Sequence, residues 1–239
     1  MGEDRQVSSP TVAELLRPWL AQQYDELRVA LSDLAEPENV HIARVRCRRL
    51  RSVLGGWRDH LPAHAPKLRR RLQHLGRSIS RLRDLDVITE LPETTPPADL
   101  PQWRSLMAAD RAPVLADALL VASSPETADL LVDLGPLCMG DWGVAGSVDA
   151  VAAAAVVLDQ ERSRVEHVRT ESGDQHDVRK ASKRLRYNAE VIATVIPPAA
   201  QIAADAEATQ EFLGAALDDT MVSAWIAEAR ARAGSGETT

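Results

Sequence analysis

Leu68, Leu72, Leu75, Ile79 and Leu82 recur at three- and four-residue spacing, which lines all five up on one face of a helix. Apolar residues follow the same rhythm through most of the chain, and Gly and Pro fall mostly between such stretches, which favours helices over sheets. The fold class this predicts is all-α. A length of 239 residues allows one large domain or two small ones, and a hydrophobic content of 45% is enough for a sizeable core. Aromatic residues make up only 3%, so Leu, Val, Ile and Ala must supply that core.

Local signals divide the chain further. Thr11 and Glu14 read as a capping box that opens a first helix over 11–34. Pro37 suits the first turn of a second helix, running to about Leu61 with a bend at Gly55-Gly56. Pro62 and Pro66 separate it from a third over 67–91, and the segment Pro92 to Pro101 breaks the chain before a fourth over 102–121. Positions 122–147 read as a connector with a short helix around Leu130 and a loop near Gly140. Four more helices are expected over 148–171, 175–196, 199–213 and 216–232, and the tail 234–239 reads as disordered.

A duplication lies inside this pattern. Val40-His41-Ile42-Ala43-Arg44 has its counterpart in Gln175-His176-Asp177-Val178-Arg179, and Arg48-Arg49-Leu50-Arg51 falls on Lys183-Arg184-Leu185-Arg186 at the same offset of 135. Ile79 to Asp84 falls on Leu213 to Asp218 at an offset of 134. Two features holding nearly one offset predict two similar helical repeats packed together, over about 8–122 and 148–233, with the connector 123–147 between them.

The charges are distributed as unevenly as the apolar residues are regular. Positions 40–83 hold 13 Lys or Arg against the single acid Asp59, and positions 176–186 hold 5 against Asp177. The remaining 184 residues carry 10 basic groups and 33 acids, so a net charge of −7 conceals two concentrated cationic segments. Such focusing points to a site for a polyanion. On a helical wheel His41, Arg44, Arg48, Arg51 and Arg58 share one arc of the second helix, opposite Ile42, Leu50, Val53, Leu54, Trp57 and Leu61. His176, Arg179, Lys183 and Arg186 line up likewise in the second repeat, and Lys67, Arg70, His74, Arg77 and Arg81 form a third row. Like charges at i,i+3 and i,i+4 repel by a few tenths of a kcal/mol per pair, so rows this long call for a multivalent anion. Arg presents a planar fork of donors to phosphate oxygens and Lys a compact charge. His41 and His176 stand in the first turns of their helices, where backbone N–H groups already favour an anion. A bound phosphate would raise the pKa of each imidazole, and the basic surroundings of the free protein would lower it. Arg46 and Arg49 lie nearer the apolar side, where pairing with acids of neighbouring helices is the alternative. Asp84 and Asp86 read as partners that orient Arg side chains, and Arg69 and Arg71 are the weakest candidates.

Other functions find less support. There is no P-loop, no His-Glu-x-x-His, no Glu-x-x-His pair of the di-iron kind, and no Ser or Cys with a plausible His base, so no catalysis and no cofactor or metal is expected. Phosphoryl transfer in particular needs carboxylates for magnesium beside the basic groups, and few are available. Nucleic acid is the rival ligand, but single strands want aromatic stacking platforms, and the basic helices offer only Trp57 and Tyr187. A regulatory partner of a phosphate enzyme is a further alternative. Cys47 and Cys138 have no metal-like spacing and read as free thiols of a reducing cytoplasm. The N-terminus shows no apolar leader and no segment reaches membrane-spanning length, so a cytoplasmic, unanchored protein is expected.

The motif His41-x-x-Arg44-Val45-x-x-Arg48-Arg49-Leu50-Arg51, followed by Leu82-Arg83-Asp84-Leu85-Asp86-Val87, resembles the CHAD domain, the histidine-bearing α-helical domain. The second half agrees through His176-x-x-Arg179-Lys180-x-x-Lys183-Arg184-Leu185-Arg186-Tyr187 and the stretch Gln210 to Asp218. The resemblance implies two four-helix bundles related by pseudo-twofold symmetry, with basic helices facing a shared groove. It also implies binding of inorganic polyphosphate and association with polyphosphate granules, and adds Arg49, Arg83, Lys180 and Arg184 to the candidate residues. One departure bears on the site. The expected seventh helix, Pro197 to Gly214, has no basic residue and carries Asp205, Glu207 and Glu211, so the second repeat should contribute to the groove mainly through one helix.

Overall fold

In the computed structural model, residues 9–94, 102–140 and 142–235 are described. Among them nine α-helices follow one another: α1 (Val12–Leu31), α2 (Pro37–Gly56), α3 (Ala65–Ser78), α4 (Ser80–Thr94), α5 (Trp103–Ala122), α6 (Pro125–Met139), α7 (Ala150–Glu171), α8 (Gln175–Ile192) and α9 (Ala199–Ser235). No strand occurs among the described residues. Among the described residues one antiparallel bridge joins Thr11 to Asp149, so α1 and α7 start side by side. Both starts are capped. Thr11 forms the expected capping box, its amide donating to Glu14 Oε2 at 2.7 Å, and Asp149 accepts from the Ala152 amide at 2.8 Å.

The structure departs from the sequence reading in several places. The connector 123–147 is mostly helix: Ser124 caps α6, Pro125 occupies its first turn, and the apolar side buries Leu130, Leu134 and Leu137. The helix expected over 67–91 is two helices, divided at Ile79. There the Ser78 and Ser80 hydroxyls donate to the carbonyls of His74 and Gly76 at 3.2 and 2.7 Å, competing with the backbone ladder. Conversely, the helices expected over 199–213 and 216–232 are the single helix α9, whose Ala-rich first half has the propensity to carry one glycine. Finally, Gly55-Gly56 ends α2 instead of bending it, and a 3₁₀ turn over Arg58–His60 leads out. The expected break Pro92 to Pro101 does not begin where expected: Pro92 to Thr94 still belong to α4, and positions 95–101 lie outside the described residues. The same holds for 236–239 of the expected tail, whereas Gly234 and Ser235 belong to α9.

Most of the apolar surface packs into one core. Leu16, Leu20, Leu27, Leu50, Leu54, Trp57, Leu68, Leu72, Ile79 and Leu82 are all under 2% exposed within it. At about 1.5–3 kcal/mol for each large side chain taken out of water, this cluster dominates the stability. The expected Leu-rich face of α3 is its floor. A smaller cluster of Val165, Ala181, Leu185 and Ala206 holds α7, α8 and the first turns of α9 together. The two halves meet where α2 crosses α8. A side chain at Gly56 would put its Cβ 2.4 Å from Asn188 Oδ1, so only glycine admits this approach. Asn188 is fully buried and donates to the carbonyls of Arg184 and Ser52 at 2.9 and 3.4 Å, pinning one helix to the other. Two adjacent glycines in the last turn of a helix each cost about 0.5–1 kcal/mol relative to Ala, so their presence needs a packing reason. None of the described helices is long and apolar enough to cross a membrane.

Candidate functional site

The α2–α8 crossing opens on one side into a cleft of about 380 Å³. Helix α2 contributes Arg48, Arg51 and Ser52, α3 contributes Arg69, Gln73 and Arg77, and α8 contributes Lys180, Lys183, Arg184 and Tyr187. Seven of these ten side chains are cationic and none is acidic. Positions 48 and 183 match at the sequence offset of 135, as do 52 and 187, so both members of each matched pair line the cleft.

Four of the cations lack a counter-charge. Among the described residues, Arg48, Arg51, Arg69 and Arg77 form no ion pair with a carboxylate, and the buried Nε atoms of Arg48, Arg51 and Arg69 have no hydrogen-bond partner. A buried donor without an acceptor costs roughly 1–3 kcal/mol, so the described protein groups leave hydrogen-bonding capacity in the cleft that an anion's oxygens could meet. The guanidinium groups also oppose one another. Burial first, then Arg69 and Arg77, holds Arg51 below the ordinary guanidinium value, and burial with Arg184, Arg164 and Arg58 does the same to Arg69.

Other basic residues are neutralised. Arg44 donates to Asp84 at 3.0 Å, and Arg111 to the buried Asp86 at 2.8 Å, so the two acids orient arginines as expected. Arg46 pairs with Glu26 and reaches Gln23 at 3.3 Å. Arg49 pairs with Glu190 across the halves and lies over the Tyr187 and Trp19 rings at 5.3 and 5.8 Å, the alternative reading of that residue. Arg186 is held by Glu190 at 2.8 Å and by Glu207 of α9 at 2.7 Å. Arg184 lines the cleft but is also clamped, its Nε and Nη2 donating to Glu161 at 2.9 and 2.6 Å. Lys180 meets Asp177 at 3.1 Å on the surface.

The third row divides. Arg77 faces the cleft, but Arg70 and His74 line a larger, mainly apolar cavity of about 690 Å³ between α3, α5 and α6, and Lys67 is exposed. Arg81 stands in a third cavity beside Asp84, Asp110 and Arg232. The reason is geometric: one flank of the α3 stripe carries positions 69, 73 and 77, the other carries 70 and 74, and only the first meets α2 and α8. Arg71, a weak candidate, is tied to Asp133 and the Glu126 carbonyl at 2.5 and 2.9 Å. Arg69, the other weak candidate, is in the cleft. Its i,i+4 spacing to Gln73 and Arg77 was the available signal.

The histidines differ too. His41 is half-buried beside the Arg44–Asp84 pair, and burial, then Arg83, Arg48 and Arg44, lowers its pKa against the opposing effect of Glu38. His176 is exposed at the start of α8, its amide donating to Asp174 Oδ1 at 2.9 Å, and does not line the cleft. Arg179 is half-buried with an unpartnered Nε, also outside the lining. Arg83 is half-buried near His41. Cys47 and Cys138 are buried free thiols, each pushed up to about 12 chiefly by burial, and neither opens onto the cleft.

The family model described as CHAD domain matches residues 12–227. The structure described as "Crystal structure of the CHAD domain from the plant Ricinus communis" resembles this fold with a TM-score of 0.70 at 23% sequence identity, covering 94% of this chain and 81% of that one. A search among curated protein sequences gave no match.

Proposed function

Because this chain belongs to the CHAD domain family, a family known for polyphosphate-related binding, we propose that it binds inorganic polyphosphate in the cleft between α2, α3 and α8. The observation that carries this reading is the acid-free lining, in which Arg48, Arg51, Arg69 and Arg77 pair with no carboxylate among the described residues and the buried Nε donors of the first three have no acceptor there. A chain of phosphates offers closely spaced anionic oxygens without bulk, which suits a narrow cleft with several converging cations. The role is binding, not catalysis. No carboxylate lines the cleft to hold magnesium, and nearby Glu161 is 2% exposed and committed to Arg184. The cell compartment that goes with this role is the cytoplasm, with attachment to polyphosphate granules or a regulatory task in phosphate metabolism.

Nucleic acid fits less well. The only aromatic residue of the lining, Tyr187, is 4% exposed and covered by Arg49 and Arg186, so it gives no face for a base to stack on. The test is a competition titration of long polyphosphate, tripolyphosphate, orthophosphate and single-stranded DNA at fixed salt, repeated over a salt series. Long polyphosphate should win, orthophosphate should compete poorly, and the log–log salt slope should be roughly −4 to −6, as expected for about five to seven neutralised phosphates. A shallow slope with equal affinity for orthophosphate would mean a single-anion pocket. Preference for DNA would reverse the assignment.

A further inference from the structure

Gly55 lies in the last turn of α2, where side chains from the two other walls of the cleft come close to its backbone. A Cβ at this position would stand 3.0 Å from Arg69 Nε of α3 and 3.3 Å from Arg184 Nη1 of α8. Both distances are tighter than ordinary contact, so the two guanidinium groups cross α2 over bare backbone. They are not equally free to yield. Arg184 is clamped through Nε and Nη2 to Glu161, whose side chain is 2% exposed. Arg69 has no ion pair among the described residues and no acceptor for its buried Nε. A methyl group at position 55 would therefore push the Arg69 guanidinium aside by a few tenths of an ångström before it moved Arg184. Gly56 serves a different purpose, the approach of Asn188, so helix packing alone does not account for a second glycine.

We propose that Arg69 is a phosphate-binding residue of the cleft, and that Gly55 is the positioning residue that admits it. The inference rests on the polyphosphate reading of the same cleft. Its mechanism is steric: the absent side chain lets one more cation converge on the anion, although burial and the neighbouring arginines oppose placing it there.

A double-mutant cycle tests this, with polyphosphate binding isotherms over a salt series and thermal melts for each protein. Arg69→Gln should weaken binding roughly tenfold and lower the salt slope by about one unit, the signature of one lost phosphate contact. Gly55→Ala, which displaces the Arg69 guanidinium without removing its charge, should weaken binding by a smaller factor, about two- to threefold, and Gly55→Ala in the Arg69→Gln background should add nothing. Losses that multiply, or a Gly55→Ala protein with wild-type affinity and slope, would overturn the positioning role. Should Gly55→Ala fail to fold, Arg69→Gln still decides: unchanged affinity and slope would refute the proposal. The Arg48/Arg51/Arg77→Gln protein separates this inference from the reading beneath it. If that protein binds normally, the cleft is not the polyphosphate site and both fail. If it is impaired while Arg69→Gln is not, only the inference fails.

Discussion

Helices α2 and α8 carry the same motif at the same spacing, yet equivalent residues meet different fates. Arg48 and its equivalent Lys183 both line the cleft, and so do Ser52 and its equivalent Tyr187. One turn further on, Arg51 stays unpaired in the cleft, whereas its equivalent Arg186 is consumed by Glu190 and Glu207. Arg49 and Arg184 are likewise equivalent, and each ends on a glutamate, but Arg184 keeps a place in the lining and Arg49 does not. The difference comes from the neighbours. The helix after α2 is the arginine-rich α3, which adds three more cleft residues. The helix after α8 is the acidic start of α9, which quenches α8 and adds none. A duplicated basic helix therefore becomes one wall of an unpaired cationic cleft or half of an ion-pair network according to what packs beside it.

The largest effect that would break this comparison is on affinity. Replacing Arg48, Arg51 and Arg77 together with Gln should weaken polyphosphate binding about a hundredfold, at roughly 1 kcal/mol for each unpaired cation. Replacing Arg179, Lys183 and Arg186 should cost about tenfold, because only Lys183 of these lines the cleft. Equal losses, in proteins with native circular dichroism, would show that the halves contribute alike.

A second effect concerns stability and sharpens the contrast between the clamps. Glu161 is 2% exposed and serves Arg184, whereas Asp84, partner of Arg44, has 48% of its side chain exposed. Glu161→Gln leaves Arg184 facing a neutral partner at a buried site. The expected loss is about 2 kcal/mol, below the full value for a buried pair because the Arg184 side chain is itself 20% exposed. That corresponds to a fall in Tm of roughly 4–8 °C. Asp84→Asn should cost under about 1 kcal/mol, as exposed pairs do. Melts of the two variants that coincide would contradict this ranking.

The smallest effect is on pH dependence, and it separates the two histidines. Burial and the basic groups Arg83, Arg48 and Arg44 hold His41 below its ordinary 6.5, so the free protein keeps it mostly neutral. An anion bound alongside Arg48 favours the imidazolium, binding takes up a proton, and affinity should rise as pH falls from about 8 to about 6. Because His41 stands beside the lining and not in it, a rise of about two- to threefold is expected, within the limit of 1.36 kcal/mol per pKa unit. His41→Gln should flatten the profile, whereas His176→Gln should leave it unchanged. The reverse pattern would assign the pH response to α8.

Several local features were legible because their causes are local. The Thr11–Glu14 capping box, the Leu stripe of α3 and the pairing of Asp84 and Asp86 with arginines all follow from spacing along one or two helices. The extent of α6 was not, since the buried face of its Leu residues becomes evident only against α1 and α3. Nor was the division of the third row, because a wheel for α3 ranks residues by distance from the core without saying which flank meets another basic helix.

The sequence by itself determined that the chain is helical, that it carries a duplicated basic helix, and that its cations are concentrated against an acidic remainder. Periodicity, offset and charge count are properties of the chain that no packing can alter. The tertiary structure alone decided which cations are spent and which are left. Whether an arginine finds a carboxylate within 4 Å depends on residues tens to more than a hundred positions away, as Arg49 with Glu190 shows. Arg69 enters the cleft for the same kind of reason: its path lies over Gly55, a vacancy on another helix that the residues around Arg69 do not encode.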